Sequence, residues 1–241
     1  METTKKHHEA RFLTCEKYYI FELLIFAGGM MGAYTYNLRG GVFCNAQTAN
    51  VVLMSLAFGH GMWRKGFYYF IPIFAYIAGA VVSEALPTGI RHQKFLRWDT
   101  WLIGFEILVL FAVGFIPLGW PHQIVQVTIN FICSMQYNTF RQAEGIPMAT
   151  TFVTNHIRQT GSWAVIAIRK KDAAARARAW KHFRMVGCFF LGGLILTFFC
   201  GLLQEKSIWI AMLPLAAVFA FLVRADRVEE RQMFDLKPHG H

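Results

Sequence analysis

The chain has 241 residues, of which 55% are hydrophobic and only 16% are charged, whereas ordinary soluble domains carry roughly 25% charged residues. This composition excludes an ordinary water-soluble domain and favours one membrane domain, built from apolar segments of about 20 residues that each cross a hydrocarbon core of about 30 Å. The five cysteines are scattered and form no Cys-x-x-Cys pair, so neither a disulfide framework nor a zinc site is expected.

Residues 1–17 are polar and lead into an apolar segment without a small-residue cleavage site, so we expect the first span to be retained as an anchor. Eight apolar stretches can be marked along the chain. In order, they are residues 18–37, 42–60, 67–87, 99–119, 122–141, 147–168, 184–203 and 207–224. The third and seventh are strong candidate spans, whereas polar residues interrupt the second and the sixth.

The polar interruptions predict where a function would lie. In lipid, an irregular backbone or a cluster of amides must be buried in protein or line a wet cavity. Two interruptions at matching places in two halves of a chain are typical of a transporter binding site. The predicted substrate-binding residues are Asn45, Gln47, Thr48 and Asn50 in the first half, and Gln136, Asn138, Thr151, Thr154 and Asn155 in the second.

These side chains carry donors and acceptors but no fixed charge, which suits a small neutral or zwitterionic solute or a partly dehydrated ion. A helix starting near Thr48 would also favour anionic groups at its N-terminus, and Gly40-Gly41 would permit the turn into it. The alternative is that the amides and hydroxyls only hold helices together.

The distribution of lysine and arginine favours six crossings over eight, because basic residues gather on the cytoplasmic side. If all eight segments cross, the less basic side holds Arg39, Arg91, Lys94, Arg97, Arg141 and Lys206. If the second and sixth segments dip in and return, only Arg39, Arg64, Lys65 and Lys206 remain there. A cysteine at position 94 should then be inaccessible from outside the cell.

The predicted fold class is therefore an all-α integral membrane protein with six transmembrane helices and two short interrupted or re-entrant helices. Each half crosses three times, so residues 18–119 and 122–224 form two inverted repeats within one membrane domain. The tails, 1–17 and 225–241, are predicted to be cytoplasmic, in a multi-pass protein of the plasma membrane.

Glu106 and Arg158 are the ionisable residues of most interest, because a charge inside a membrane is costly and must face the protein interior, pair or be neutral. Glu106 is a candidate for proton coupling or cation pairing. Arg158 can hold an anionic substrate or pair with Glu106. The alternatives are a buried structural acid and an arginine that reaches back to the headgroups.

The basic run at residues 169–184 and the net charge of +10 could suggest nucleic-acid binding. Basic residues beside a span more commonly orient it and contact anionic lipid. We therefore expect an interfacial helix with Trp180 and Phe183 dipping into the bilayer, and no nucleic-acid partner.

Several polar elements resemble those of the YoaK-like family of bacterial multi-span membrane proteins. They are Gly41-Val42-Phe43, Asn45 and Thr48-Ala49-Asn50 in the first half, and Gln136-Tyr137-Asn138 and Thr150-Thr151-Phe152-Val153-Thr154-Asn155 in the second. The family usually has an aspartate after the glycines of its first span, where this chain reads Gly32-Ala33, and glycines at the positions of Ala49 and Asn155. The resemblance implies a multi-pass membrane architecture and leaves the activity open.

The function predicted from these observations is a transporter or channel-like carrier of a small solute, with the lipid bilayer as its surroundings and a homo-oligomer as an option. A non-transporting sensor or assembly protein is the alternative. An intramembrane enzyme is less favoured, because the apolar segments contain no evident nucleophile with a base, paired carboxylates or metal ligands. We accordingly predict no catalytic residue, cofactor or metal.

Overall fold

The computed structural model describes residues 12–86 and 95–231, together with Leu236 and Pro238. Apart from one short hairpin, the regular structure in these residues is helical, which confirms the predicted all-helical class. The α-helices are α1 Tyr18–Leu38, α2 Gln47–Gly59, α3 Trp63–Ala85, α4 Trp98–Val113, α5 His122–Thr139, α6 Thr154–Lys170, α7 Ala173–Leu203 and α8 Met212–Arg224. The hairpin pairs β1 Gln142–Ala143 with β2 Ile146–Pro147 in antiparallel register.

Helix α1 lies at the centre of the fold, and most of its residues are buried. A helix that is apolar around its whole circumference is stable only when it is surrounded. Its main partner is α7, and glycines bring the two backbones together. A side chain on Gly29 would place its Cβ 2.1 Å from the carbonyl oxygen of Phe189, and one on Gly192 would lie 2.1 Å from that of Phe26. Small residues thus allow close helix packing.

The other helices pack in pairs around α1. Helix α3 packs on α5, α2 on α3, α6 on α7, and α4 on α8. Gly79 allows α3 to approach α5, since a Cβ there would lie 2.3 Å from the carbonyl oxygen of Phe131. Both short helices that follow a polar interruption, α2 and α6, therefore lie against the next helix in the chain.

The prediction of a separate interfacial helix at 169–184 is wrong, because those residues divide between the end of α6 and the first turns of α7. Lys171 adopts a left-handed conformation, with φ of 51°, and ends α6. The side chain of Asp172 then accepts a 2.8 Å hydrogen bond from the Ala174 amide and caps α7. The alanines and arginines that follow are strong helix formers, so the helix continues into the predicted seventh span without a break.

The eighth predicted stretch begins as a 3₁₀-helix, Gln204–Ala211, and α8 is followed by a π-helical turn, Ala225–Glu229. A further 3₁₀ turn, Thr14–Glu16, precedes α1. The predicted test position 94 lies outside the described residues, as do Arg91 and parts of both tails.

Among the described residues, two helical runs contain an 18-residue segment that is apolar enough to cross a membrane. They are Trp63–Ala85, whose segment has a mean hydropathy of 1.6, and Ala173–Glu229, whose segment has a mean hydropathy of 2.3. Both expose large apolar side chains at helical spacing, such as Phe67, Phe70 and Phe74 on α3 and Leu194 and Phe198 on α7. Soluble monomers rarely expose large contiguous apolar patches. These features agree with a membrane location.

Candidate functional site

The first polar interruption, residues 40–50, is a tight turn held together by the amide of Asn50. Gly40 and Gly41 adopt φ values of 80° and 69°, which glycine tolerates without a side-chain clash. The Asn50 side chain donates a 2.7 Å hydrogen bond to the carbonyl of Phe43 and accepts a 3.2 Å bond from the Phe43 amide. These two hydrogen bonds satisfy the backbone amide and carbonyl of Phe43, which lies between α1 and α2 and belongs to neither helix.

A chain of amides links this first break to α5 and α3. The Gln47 side chain donates to the Asn130 side-chain oxygen over 2.7 Å. Asn130 in turn donates to the backbone carbonyl of Gln126, one turn earlier in α5. The amide of Gln126 donates to the Arg39 carbonyl and to the Tyr68 hydroxyl. Three helices therefore share one hydrogen-bonded network.

The two polar interruptions, residues 40–50 (the first break) and residues 145–158 (the second break), meet at one glycine of α1. Asn45 donates a 2.8 Å hydrogen bond to the carbonyl of Gly28. On the same residue, an added Cβ would lie 2.8 Å from the Thr150 carbonyl oxygen and 3.2 Å from the Thr151 Cα. Gln136 of α5 reaches the same carbonyl of Thr150 over 3.5 Å. We call these five residues the Gly28 junction.

The Gly28 junction contains buried polar atoms that the fold does not use. Gln136 and Thr150 are fully buried. Within the described part of the chain, neither the Gln136 side-chain oxygen nor the Thr150 hydroxyl has a hydrogen-bond partner. A buried polar group left in this state costs about 1–3 kcal/mol. The Gln136 oxygen belongs to a predicted binding residue and the Thr150 hydroxyl to the neighbour of one, Thr151, and both atoms have capacity for a ligand.

Besides Gln47 and Asn50, which belong to the first break, four predicted binding residues lie away from the junction. Thr48 and Thr154 are exposed near the starts of α2 and α6. Asn155 accepts a 3.0 Å hydrogen bond from Arg158. Asn138 donates to the Ser83 hydroxyl over 2.8 Å and so joins α5 to the end of α3.

Glu106 and Arg158 are not brought together. Glu106 is fully buried in α4, and neither of its carboxyl oxygens has a hydrogen-bond partner among the described residues. Arg158 is exposed on α6. The predicted alternative of an ion pair between them is therefore not formed in this structure.

The sequence reading missed two buried amides and a pair of histidines. Gln126 and Asn130 are four residues apart in α5, and Ser134 is four residues further, so all three lie on one face of the helix. This four-residue spacing of polar side chains is the sequence signal that indicates a polar face on the helix. No comparable signal pairs His156 with His182, because they lie on different helices and 26 residues apart.

The geometry assigns the tautomers of the buried histidine pair. Nε2 of His156 lies 2.9 Å from the Ala149 carbonyl, which can only accept, so this nitrogen carries the proton. Its Nδ1 must then accept from Nδ1 of His182, 2.9 Å away. The two hydrogen bonds connect α6 and α7 to Ala149, which precedes α6. It also leaves Nε2 of His182 unprotonated, buried and without a partner in the described chain.

The described residues contain no group of three histidine, cysteine, aspartate or glutamate side chains that could hold a metal ion. Two cavities lie outside the junction. One of about 640 Å³ lies between α6 and the start of α7, and one of about 400 Å³ lies among α3, α4 and α5. At the junction, α1 and the second interruption are in close contact, since an added Cβ on Gly28 would lie 2.8 Å from the Thr150 carbonyl oxygen.

The profile of the family described as "Protein of unknown function (DUF1275)" matches residues 20–221. The chain belongs to this family. The match includes both polar interruptions and the helices around them. YoaK-like proteins are members of DUF1275. The family match therefore agrees with the resemblance that the polar segments of the sequence indicate. No curated protein and no solved structure matches the chain significantly.

Proposed function

We propose that this DUF1275 protein is a multi-pass membrane protein that carries a small solute across the bilayer through the Gly28 junction. One observation carries the proposal: two polar interruptions about a hundred residues apart in sequence pack on the same glycine of the central helix. Unused polar atoms of Gln136 and Thr150 are buried at that point. A fold that keeps such atoms at a cost in stability favours a binding role.

The helix pairing supports an arrangement of two repeats. If α1 to α4 correspond to α5 to α8, then α1 on α7 corresponds to α5 on α3, and α2 on α3 corresponds to α6 on α7. The glycine contacts follow the same rule: Gly192 of α7 abuts the Phe26 carbonyl of α1, and Gly79 of α3 abuts the Phe131 carbonyl of α5. An approximate two-fold relation between the halves would produce both correspondences.

The helix lengths support six crossings. Helix α2 has 13 residues and is about 20 Å long at 1.5 Å per residue, too short for a hydrocarbon core of about 30 Å. Helix α6 has 17 residues and contains Asn155, His156 and Arg158 in its first turns. If both dip in and return, each half crosses three times, the second half is inverted, and both termini are cytoplasmic.

The unused atoms indicate the class of solute. The Gln136 side-chain oxygen only accepts hydrogen bonds, and the Thr150 hydroxyl can accept or donate. Both suit a small neutral or zwitterionic solute with N–H or O–H donors, such as an amide, an amino acid or a polyol. Because the junction is closed, the solute would enter only when α1 and the two breaks separate, as in alternating access.

Thermal unfolding of the purified protein in detergent tests this binding role. The solutes screened would be amino acids, amides, polyols, sugars, nucleosides, organic acids and ions. A ligand at about 100 times its Kd should stabilise the protein by about 2.7 kcal/mol. We expect that stabilisation to disappear in Gln136→Leu and to persist in Asn138→Leu, a matched amide two residues away that faces α3. Equal responses of the two variants would contradict the assignment.

Solute uptake into liposomes then separates a carrier from the alternative of a membrane sensor or assembly protein. A sensor would bind the solute without moving it. If Glu106 couples protons, uptake should depend on pH and that dependence should vanish in Glu106→Gln. Uptake with an unchanged pH profile in this variant would remove Glu106 from the mechanism.

A further inference from the structure

Three sulfur atoms converge beside the first break. The Sγ of Cys133 in α5 lies 3.6 Å from the Sγ of Cys44 and 3.9 Å from the Sδ of Met31 in α1. All three residues are fully buried. We call them the sulfur cluster. Its members come from three separate segments of the fold: α5, the first polar interruption and α1.

We infer that the sulfur cluster is a binding site for a soft monovalent cation of the Cu(I) or Ag(I) class. Thiolate and thioether sulfurs are the ligands that select Cu(I) over harder cations. With a metal–sulfur bond of about 2.3 Å, three sulfurs arranged in a plane around one ion lie about 4.0 Å apart. The two separations from Cys133, 3.6 Å to Cys44 and 3.9 Å to Met31, are close to that value, so both partners of Cys133 already lie at the spacing that a shared ion requires.

One hydroxyl holds two of the three ligands in place. Thr35 Oγ1 accepts a 3.3 Å hydrogen bond from the Cys44 amide. It also lies 3.2 Å from the backbone carbonyls of Met31 and Gly32, to which it donates. Thr35 thus fixes the backbone of Cys44 relative to that of Met31. Loss of such supporting bonds around a metal site typically lowers affinity by about 10–100-fold.

The charge at the cluster can be accommodated. Each thiol that binds the cation releases its proton to solvent, so two thiolates and one monovalent cation leave one net negative charge. Helix α2 begins three residues after Cys44, and its N-terminal partial positive charge opposes that charge. The carboxyl of Glu106 lies within electrostatic reach of Cys133. With both its oxygens buried and without partners in the described chain, Glu106 adds no negative charge when it is protonated.

The cluster goes beyond the proposed solute site, although Cys44 directly precedes Asn45. Its test is equilibrium binding of a metal ion, which requires no solute and no transport. Failure of the carrier proposal would leave the metal-binding result unaffected, and failure to bind the metal ion would leave the carrier proposal unaffected.

The experiment measures Cu(I) retention by the reduced, detergent-purified protein against a coloured Cu(I) chelator under anaerobic conditions. The parent carries Cys15→Ala, Cys188→Ala and Cys200→Ala, so that Cys44 and Cys133 are its remaining thiols. We expect one Cu(I) per chain. Cys133→Ala should weaken retention by about 100-fold or more, and Met31→Leu and Thr35→Val by about 10–100-fold each. Thermal unfolding confirms that each variant is folded, and X-ray absorption of the bound copper should give a sulfur-only shell near about 2.3 Å.

Three results would overturn the inference. One is a folded parent that retains no Cu(I) against the chelator. Another is unchanged retention in Thr35→Val and Met31→Leu, which keep both thiols and are the variants most certain to fold. The third is a copper shell of nitrogen or oxygen atoms. Formation of a Cys44–Cys133 disulfide in air, with no Cu(I) retained after reduction, would assign the cluster to redox chemistry instead.

Discussion

The two polar interruptions are similar in sequence and differ in how they use their side chains. In the first break, the amides of Asn45, Gln47 and Asn50 all have hydrogen-bond partners within the protein. Beside the second break, the side-chain oxygen of Gln136 and the hydroxyl of Thr150 are buried and have no hydrogen-bond partner among the described residues. The first break therefore serves as a scaffold, and the second break provides the atoms that a ligand can contact.

The backbone explains this difference. In the second break the β1–β2 hairpin pairs Gln142 with Pro147 and Ala143 with Ile146. His156 satisfies the carbonyl of Ala149 just beyond it. The first break has no such pairing, so side chains such as Asn45 and Asn50 satisfy the backbone there.

The largest expected effect follows from replacing Asn50. Asn50→Leu keeps the side-chain volume but leaves the amide and the carbonyl of Phe43 without their partner. At about 1–3 kcal/mol for each of the two orphaned groups, the loss of stability should be about 2–6 kcal/mol. Thermal unfolding in detergent measures it, with Gln136→Leu as the control. Because Gln136 gives only one long hydrogen bond, that control should lose less than about 1 kcal/mol; equal losses would remove the distinction between the two breaks.

A smaller effect is expected at the contact that joins the two breaks. In Gly28→Ala the new methyl group would lie 2.8 Å from the Thr150 carbonyl, and overpacking of this kind costs about 1–3 kcal/mol. The matched control is Gly187→Ala in α7, where an added Cβ meets nothing within 4 Å. Alanine should be neutral or stabilising there, by up to about 1 kcal/mol. If Gly28→Ala behaves like this control, the breaks do not meet at Gly28.

The smallest effect concerns the hairpin of the second break. Burial alone would raise the pKa of Glu144, but the 2.7 Å hydrogen bond and the charge of Lys181 outweigh it, so the pKa lies below its ordinary value of 4.5. A carboxyl whose pKa is depressed by folding stabilises the protein above its unfolded pKa. That contribution is lost as the pH falls through the folded pKa.

For a pair about one-third exposed, we expect a contribution of about 0.5 kcal/mol. Glu144→Gln should remove it at pH 7 and have no effect on stability below the folded pKa. Unfolding measured as a function of pH checks this. A difference between the two proteins that is constant across the acidic range would point to packing instead of charge.

The order of the helices could be predicted from the sequence, because long apolar runs separated by glycine and basic residues have few alternatives in a membrane. The polar break at 40–50 and the glycine contacts of α1 and α7 could also be predicted from local composition. What local composition could not provide was the pairing of distant residues. The Gln47–Asn130 hydrogen bond and the meeting at Gly28 both depend on how α1 and α5 pack.

Arg39 illustrates the same limit. The sequence predicts that Arg39 lies in a loop on the less basic side of the membrane, yet its side chain is fully buried. It donates to the carbonyls of Ile116 and Pro117 and to the Tyr34 hydroxyl. The charge is thus used to tie the end of α1 to the residues after α4, a role that depends on partners 77 and 78 residues away.

The proposed six-crossing topology is tested most directly by finding the side of the membrane on which the α2–α3 turn lies. His60 is exposed at the end of α2, and Lys170 is exposed at the end of α6. Single cysteines at these positions, in a Cys188→Ala background, would be labelled in intact cells with a membrane-impermeant maleimide. If α2 and α6 dip in and return within inverted halves, His60→Cys should react from outside, and Lys170→Cys should react only after permeabilisation. Protection of both positions would mean that α2 crosses the membrane, and would contradict the inverted arrangement on which the proposed solute site depends.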